Sequence, residues 1–311
     1  MDARYTAEQL ELQRAARQLA RELGPRTVAD LDDETRKKRL AGAVRDAGWL
    51  ELRDDAGGAP LASGVEVCIV AEALGETVAD VAFSGPILGA DLARRLKIEP
   101  DHSTVLCDPT MQHAIDCGED TTTAYALHAR DVTRSELGAP FDGTDLTRVV
   151  RPVAGPGDAL GQIDDADGSQ VLALGLALTS ADLVGVMRGV LEITVEYAKD
   201  RKQYGAPIGS FQAVQHLLAE SCTLSEGSRS VAQYAAWAVD SLPPAEAVRA
   251  GRVAKVYCAT AARTVCETAI QVHGGIGNTW EHIAHVFLRR AFLSTQWFGD
   301  DVVHLRELAV A

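Results

Sequence analysis

An arginine, two glutamines and a tyrosine fall within one stretch, RKQYGAPIGSFQ, where Arg201, Gln203, Tyr204 and Gln212 interrupt an otherwise helical pattern. Arg201 offers a planar fork of donors that matches two oxygens of a pyrophosphate at once. Gln203 and Gln212 add amide donors, Tyr204 adds a ring and a hydroxyl, and Gly205 and Gly209 let a ligand approach the backbone closely. The same residues have a plainer reading. A cation at the C-terminal end of a helix is favoured by the negative end of its dipole, and the stretch is then an interhelix loop. A second stretch, QVHGGIGNTWEH, carries Gln271 and a G-G-x-G run at Gly274, Gly275 and Gly277. No strand precedes it, as a dinucleotide fingerprint requires, so the glycines either end a helix or admit a ligand. His273 beside them either reaches that ligand or bonds carbonyls of its own helix.

The elements that must position these stretches are mostly helices. Thr6 and Gln9 form a capping box ahead of a helical run that Gly24-Pro25 stops, and further helices are expected over 35–47, 64–74 and 81–96. Short runs bounded by Gly, Pro and Asp, at 104–107, 122–127 and 148–151, read as strands of a small β insert. Four helical patterns follow: one capped by Ser180 and ending near Arg201, then 211–242, then one from Pro243-Pro244 to Ile270, then 280–297. Long helices joined by short turns pack as an antiparallel four-helix bundle. The expected fold is mainly α with a small β insert: an N-terminal helical domain over 1–102, a reduced β domain over 103–173 and a C-terminal bundle over 174–311.

Composition narrows the partners. The 311 residues carry a formal net charge of -14, which argues against nucleic acid or an anionic membrane, so an anionic ligand needs a local basic site. Six scattered cysteines with no C-x-x-C pair read as reduced core thiols, with no metal site among them. The N-terminus has no apolar h-region, and no uninterrupted apolar run reaches the length of a membrane span, so a cytoplasmic protein is expected.

YAKDRKQYGAPIGSFQAVQHLLAE followed by QVHGGIGNTWEHIAHVFLRRA resembles the C-terminal domain of the acyl-CoA dehydrogenase family. The resemblance implies an FAD enzyme that oxidises an acyl-CoA to the 2,3-enoyl-CoA, with a glutamate taking the α-proton and the flavin taking the β-hydride. It also implies a shared cofactor, the flavin ring lying on one subunit's β domain and the pyrophosphate and adenosine on the neighbour's bundle. Arg201, Gln203, Tyr204 and Gln212 would contact that FAD, with Gln271, Gly274 and Gly275 near its other end.

Two departures from the family pattern matter. Counted from Arg289-Arg290-Ala291, the position of the catalytic glutamate falls on Phe298, and the alternative position on the first bundle helix falls near Gly175; neither can take a proton. Of the flavin-holding T-E-P-x-x-G-S-D stretch, LCDPTMQHAIDCGED keeps a proline and acidic residues. The resemblance therefore points to a subunit with no catalytic residue of its own. It would lend FAD contacts to a second acyl-CoA dehydrogenase-like chain that carries the glutamate and binds the acyl-CoA. The heteromeric α2β2 enzymes of actinobacteria, which act on steroid side-chain CoA esters, are built this way. Two other readings stand beside it: an active homomeric dehydrogenase with a displaced base among Glu281, Asp300 and Asp301, and a flavin-free scaffold of the same fold. Trp237, Trp280 and Trp297 read as packing aromatics that, together with Phe298, fill what is elsewhere in the family an open acyl channel.

Overall fold

The computed structural model describes residues 4–109, 112–155 and 157–310. Helix α1 (Ala7–Leu23) starts at the capping box, where Gln9 N–H donates to the Thr6 hydroxyl at 3.2 Å and Thr6 N–H donates to Gln9 Oε1 at 3.0 Å. Helices α2 (Glu34–Asp46), α3 (Gly64–Glu76) and α4 (Ser84–Leu96) complete the N-terminal unit. Next come β1 (Thr104–Leu106), β2 (His113–Cys117), β3 (Thr123–His128), β4 (Asp131–Glu136), β5 (Val149–Pro152) and β6 (Asp158–Gln162). One sheet has the order β1-β3-β4-β6, with β1 parallel to β3 and the other pairs antiparallel; β2 and β5 form a separate antiparallel pair. Thr110 and Met111 of LCDPTMQHAIDCGED, and Pro156, lie outside the described residues.

Helix α5 (Asp165–Asp200) begins well before the expected boundary at 174 and before Ser180. Its cap is Asp164, which accepts from Asp167 N–H at 2.8 Å, whereas Ser180 is buried in mid-helix and donates to Leu176 O at 2.7 Å. The early turns escape a periodicity argument because Asp165–Gln170 are exposed or half-buried, are mostly polar and include Gly168, so that they read as a loop, and burial begins only at Val171. Its most apolar window, of mean hydropathy 1.6, meets the length and composition of a membrane span, yet 89% of that window is buried inside the protein, as suits a core helix.

A small hairpin, β7 (Lys202–Gln203) and β8 (Ala206–Pro207), leads into α6 (Gln212–Ser241), α7 (Pro244–His273), α8 (Ala284–Gln296) and α9 (Asp301–Val310). Helices α5 to α8 form the C-terminal bundle, and α9 lies on α7. Leu176 meets Gly251 and Tyr197 meets His273, so α5 and α7 run parallel while α6 returns between them.

Buried Asp182 on α5 ties the units together. It accepts from Arg148 of the β unit at 2.7 Å, from Arg290 of α8 at 2.8 Å and from the Ser294 hydroxyl at 2.7 Å. Arg290 reaches on to Ala79 O at 2.8 Å and to the Thr147 hydroxyl at 3.0 Å. Burial alone would raise the Asp182 carboxyl, but the two guanidiniums outweigh it and hold the group at about 2.

Candidate functional site

The basic turn is a β-hairpin. Arg201 caps α5, and Lys202 and Gln203 pair with Pro207 and Ala206. Tyr204 and Gly205 at the tip have φ of 51° and 82°, the left-handed pair that matches the twist of a two-residue hairpin. Such tips favour Asn-Gly or Asp-Gly; a tyrosine there costs about 1–2 kcal/mol. Backbone strain of this kind concentrates at functional segments. The strained residue is 97% exposed, its ring lying edge-on to Phe211 at 6.3 Å. Among the described residues the side chains of Arg201, Tyr204 and Gln212 make no hydrogen bond or ion pair, and Gln203 reaches only Lys202 O at 2.8 Å. Among the described residues the four polar side chains are thus placed by the backbone of the turn, with the Phe211 ring beside Tyr204.

The glycine turn opens at the same end of the bundle. Tyr197, one helical turn before Arg201, stacks on His273 with ring centroids 4.5 Å apart, and its hydroxyl lies 3.4 Å from His273 O. Gln271, Gly274 and Gly275 are exposed beyond it, and Gly274 takes φ of 65° as the helix ends. His273 bonds its own helix: Nδ1 lies 2.8 Å from Ala269 O. Trp280 is 65% exposed with the Arg289 guanidinium 5.6 Å from its ring centre, so it is a surface platform rather than a packing aromatic.

His282 packs 4.3 Å from His273, and His285 lies 5.1 Å from Trp280. Burial lowers all three histidines below their ordinary 6.5; neighbouring histidines add to this at His282, and Arg289 adds to it at His285. The unfolded chain therefore takes up protons first. Their contribution to stability is complete above about pH 6.5 and is lost as the pH falls through the folded values. The melting temperature should drop between pH 7 and pH 5, and His282→Gln should shallow that drop. A flat profile for the unaltered chain would contradict the cluster's role.

Gly175 and Phe298, the two positions counted from the motifs, meet each other. A Cβ built on Gly175 would lie 2.7 Å from the Phe298 ring, which is buried and stacks on buried Trp297 at 5.8 Å. Phe298 sits at φ of 65°, and its backbone is held from three sides. Its N–H donates to the Asp108 carboxylate at 2.5 Å, its carbonyl lies 2.9 Å from His304 Nε2, and the Trp297 carbonyl accepts from Lys255 Nζ at 2.7 Å. Lys255 also donates to Ser294 O, and burial pulls its ammonium down to about 7. The displaced candidates face elsewhere: Glu281 is exposed, Asp300 accepts from Val303 N–H at 2.9 Å, and Asp301 stands in the first turn of α9. A cavity of about 530 Å³ lies between α2, the start of α4 and the β2–β3 turn, lined by Lys38, Arg45, Asp116 and Arg148 and by none of the residues of the two turns. Among the described residues no cluster of His, Cys, Asp and Glu could hold a metal ion, and five cysteines are buried while Cys222 is exposed.

Sequence reasoning missed the hairpin, helix α9 and the frame around Phe298. A two-residue Tyr-Gly between extended pairs was the only signal for the hairpin. The frame had none, because Asp108, Lys255 and His304 are far apart in the chain.

A helical unit, a small β unit and a bundle of long helices, with two polar turns at one end, make up an acyl-CoA dehydrogenase-like fold. Residues 169–311 match the model "Acyl-CoA dehydrogenase, C-terminal domain", so that this part of the chain is similar to the acyl-CoA dehydrogenase family. It is 42% identical over 127 residues to "Acyl-CoA dehydrogenase FadE34" of Mycobacterium tuberculosis, covering 41% of this chain and 18% of that one. It is 33% identical over 189 residues to "Acyl-CoA dehydrogenase IpdE2" of Mycolicibacterium smegmatis, covering 61% of this chain and 53% of that one. The matches thus span no more than about half the length of these relatives. Among solved structures, the ChsE4-ChsE5 complex from Mycobacterium tuberculosis superposes with a TM-score of 0.83 at 23% identity, covering 100% of this chain and 98% of that one. A "Tcur3481-Tcur3483 steroid ACAD G363A variant" superposes with a TM-score of 0.80 at 21% identity, covering 97% of each. These two likenesses establish the fold.

Proposed function

We propose that this chain is the non-catalytic partner subunit of a heteromeric FAD-dependent acyl-CoA dehydrogenase, paired in an α2β2 assembly with a related chain that carries the glutamate. The observation that carries this reading is the contrast between two regions of one molecule. Gly175 and Phe298, where the family places its base, interlock as an apolar plug, while Arg201, Tyr204 and Gln212 stand exposed and uncommitted.

The uncommitted turn fits the phosphate and adenosine parts of FAD. Arg201 would pair with phosphate oxygens, Gln203 and Gln212 would donate amide hydrogens, and Tyr204 would offer its ring and hydroxyl. Gln271, Gly274 and Gly275 would stand near the other end of the cofactor. FAD, when bound, supplies the hydride acceptor. This chain's part is to hold the cofactor, while the buried, stacked rings of Trp297 and Phe298 fill the place where the family's base would stand. A steroid side-chain CoA ester is the substrate class we assign to the assembly, supported by the steroid enzyme among the structures of the same fold.

Coexpression with candidate partner chains tests the reading. One FAD per two chains is expected, with dehydrogenation only when both chains are present. A yellow, active homo-oligomer of this chain alone would refute it.

A further inference from the structure

We propose that the cavity between α2, the start of α4 and the β2–β3 turn is a binding site for an apolar molecule that carries one hydroxyl group. Its volume of about 530 Å³ is that of a small-molecule site. Val44, Leu50, Val81, Pro86 and Leu146 give it apolar walls. Gly42 of α2 widens it, since a Cβ added there meets no neighbouring group within 4 Å. Neither turn at the end of the bundle lines it, nor does Trp297 or Phe298, so it is separate from the cofactor contacts and from the Gly175–Phe298 contact.

The polar end of the cavity selects the ligand. Arg148 and Asp116 meet there, 7% and 3% exposed. Nη1 and Nη2 of Arg148 turn toward the core, donating to the Ser294 hydroxyl at 2.6 Å and to Asp182 at 2.7 Å. Nε has no acceptor among the described residues, and it lies 3.9 Å from Asp116 Oδ1, too far for a direct hydrogen bond. A bulge in β2 aims Asp116 at this point: the register with β5 shifts between Ile115 and Cys117, and Asp116 takes φ of 64°. Its other oxygen is fixed by Phe83 N–H at 3.0 Å and Gly85 N–H at 3.2 Å. A hydroxyl oxygen set between Nε and Oδ1 accepts from the first and donates to the second, which completes both. An added carboxylate would be repelled by Asp116, and an added ammonium by Arg148. The mouth favours neither sign. Lys37, Arg45 and His102 stand 2.8, 3.1 and 3.3 Å from Glu34, Asp120 and Asp54, and Lys38 and Glu119 balance each other. A water makes the same two bonds but gains nothing from the apolar walls, and that difference can be measured.

This site goes beyond the cofactor reading, and its test does not depend on flavin. 2-Naphthol, naphthalene and 2-naphthoate share one apolar body and differ in the polar group. Their binding to the full chain, with whatever chain copurifies, is compared by isothermal titration. 2-Naphthol is expected to bind once per chain with a Kd below about 1 mM, and about tenfold tighter than the other two. Asp116→Asn keeps an acceptor for the two backbone N–H groups and removes the one for the hydroxyl. It should weaken 2-naphthol by about tenfold and leave naphthalene unchanged. Gly42→Phe should abolish 2-naphthol binding without lowering the melting temperature, because its ring fills the cavity and displaces no neighbour. The proposal is overturned if naphthalene or 2-naphthoate binds as tightly as 2-naphthol, or if binding survives Gly42→Phe. It is also overturned if no saturable binding appears below about 1 mM, which would leave a water as the only group the polar end takes.

Discussion

Asp182→Ala is expected to lower the stability of the folded chain by about 3–5 kcal/mol, the cost of leaving a buried charge without its partner. The carboxylate is 1% exposed and answers two guanidiniums, Arg148 and Arg290, which are 7% and 3% exposed. Neither arginine can turn to water when the carboxylate is gone. Typical domains keep only about 5–15 kcal/mol in total, so the change consumes much of the reserve. Because the three partners come from the β unit, α5 and α8, the loss should loosen all of them together rather than fray one edge. Urea denaturation followed by circular dichroism measures it. A midpoint within about 0.5 kcal/mol of the unaltered chain, the range of an ordinary surface substitution, would mean that the buried triad is not the fastening described above.

Arg201→Ala should leave folding untouched and act on the cofactor. The side chain is exposed and bonds to nothing in the described residues, so its removal breaks no internal contact. In the assembled enzyme it should weaken FAD retention by about ten- to a hundredfold, the worth of a charge-assisted hydrogen bond to phosphate. Arg201→Lys should fall between, because an ammonium keeps the charge and loses the fork. Flavin content is read from the absorbance of the copurified complex after extensive dialysis. Unchanged flavin in Arg201→Ala would favour a scaffold of this fold that binds no flavin.

Amino-acid pattern alone revealed the helices whose two faces differ. The capping box at Thr6 and the stop at Gly24 mark α1 in the sequence, and Pro243-Pro244 marks the start of α7. Strands β1, β3 and β5 were legible because turn residues bracket them. The start of α5 was not, since its first turns, DADGSQ, have the composition of a loop and the buried stretch begins only at Val171. The candidate site divided in the same way. Local motifs supplied Arg201, Gln212 and Gly274, and counting along the motif supplied Phe298 and Gly175. That the last two touch is a tertiary fact, and so is the meeting of Tyr197 with His273 beneath the two turns. The strained Tyr204 tip escaped because its φ is set by hairpin closure, against the ordinary preference of tyrosine.

The contact between Gly175 and Phe298 also limits how the chain can change. A carboxylate cannot enter at 175 while the ring occupies the space of its Cβ. At 298 it would enter a loop whose backbone is already pinned by Asp108 and His304, and it would leave a void against Gly175. Either single step passes through a clash or a cavity, each costing on the order of a few kcal/mol. A carboxylate could enter here at low cost only by two substitutions made together, so the interlock works as a ratchet that one mutation at a time does not cheaply turn.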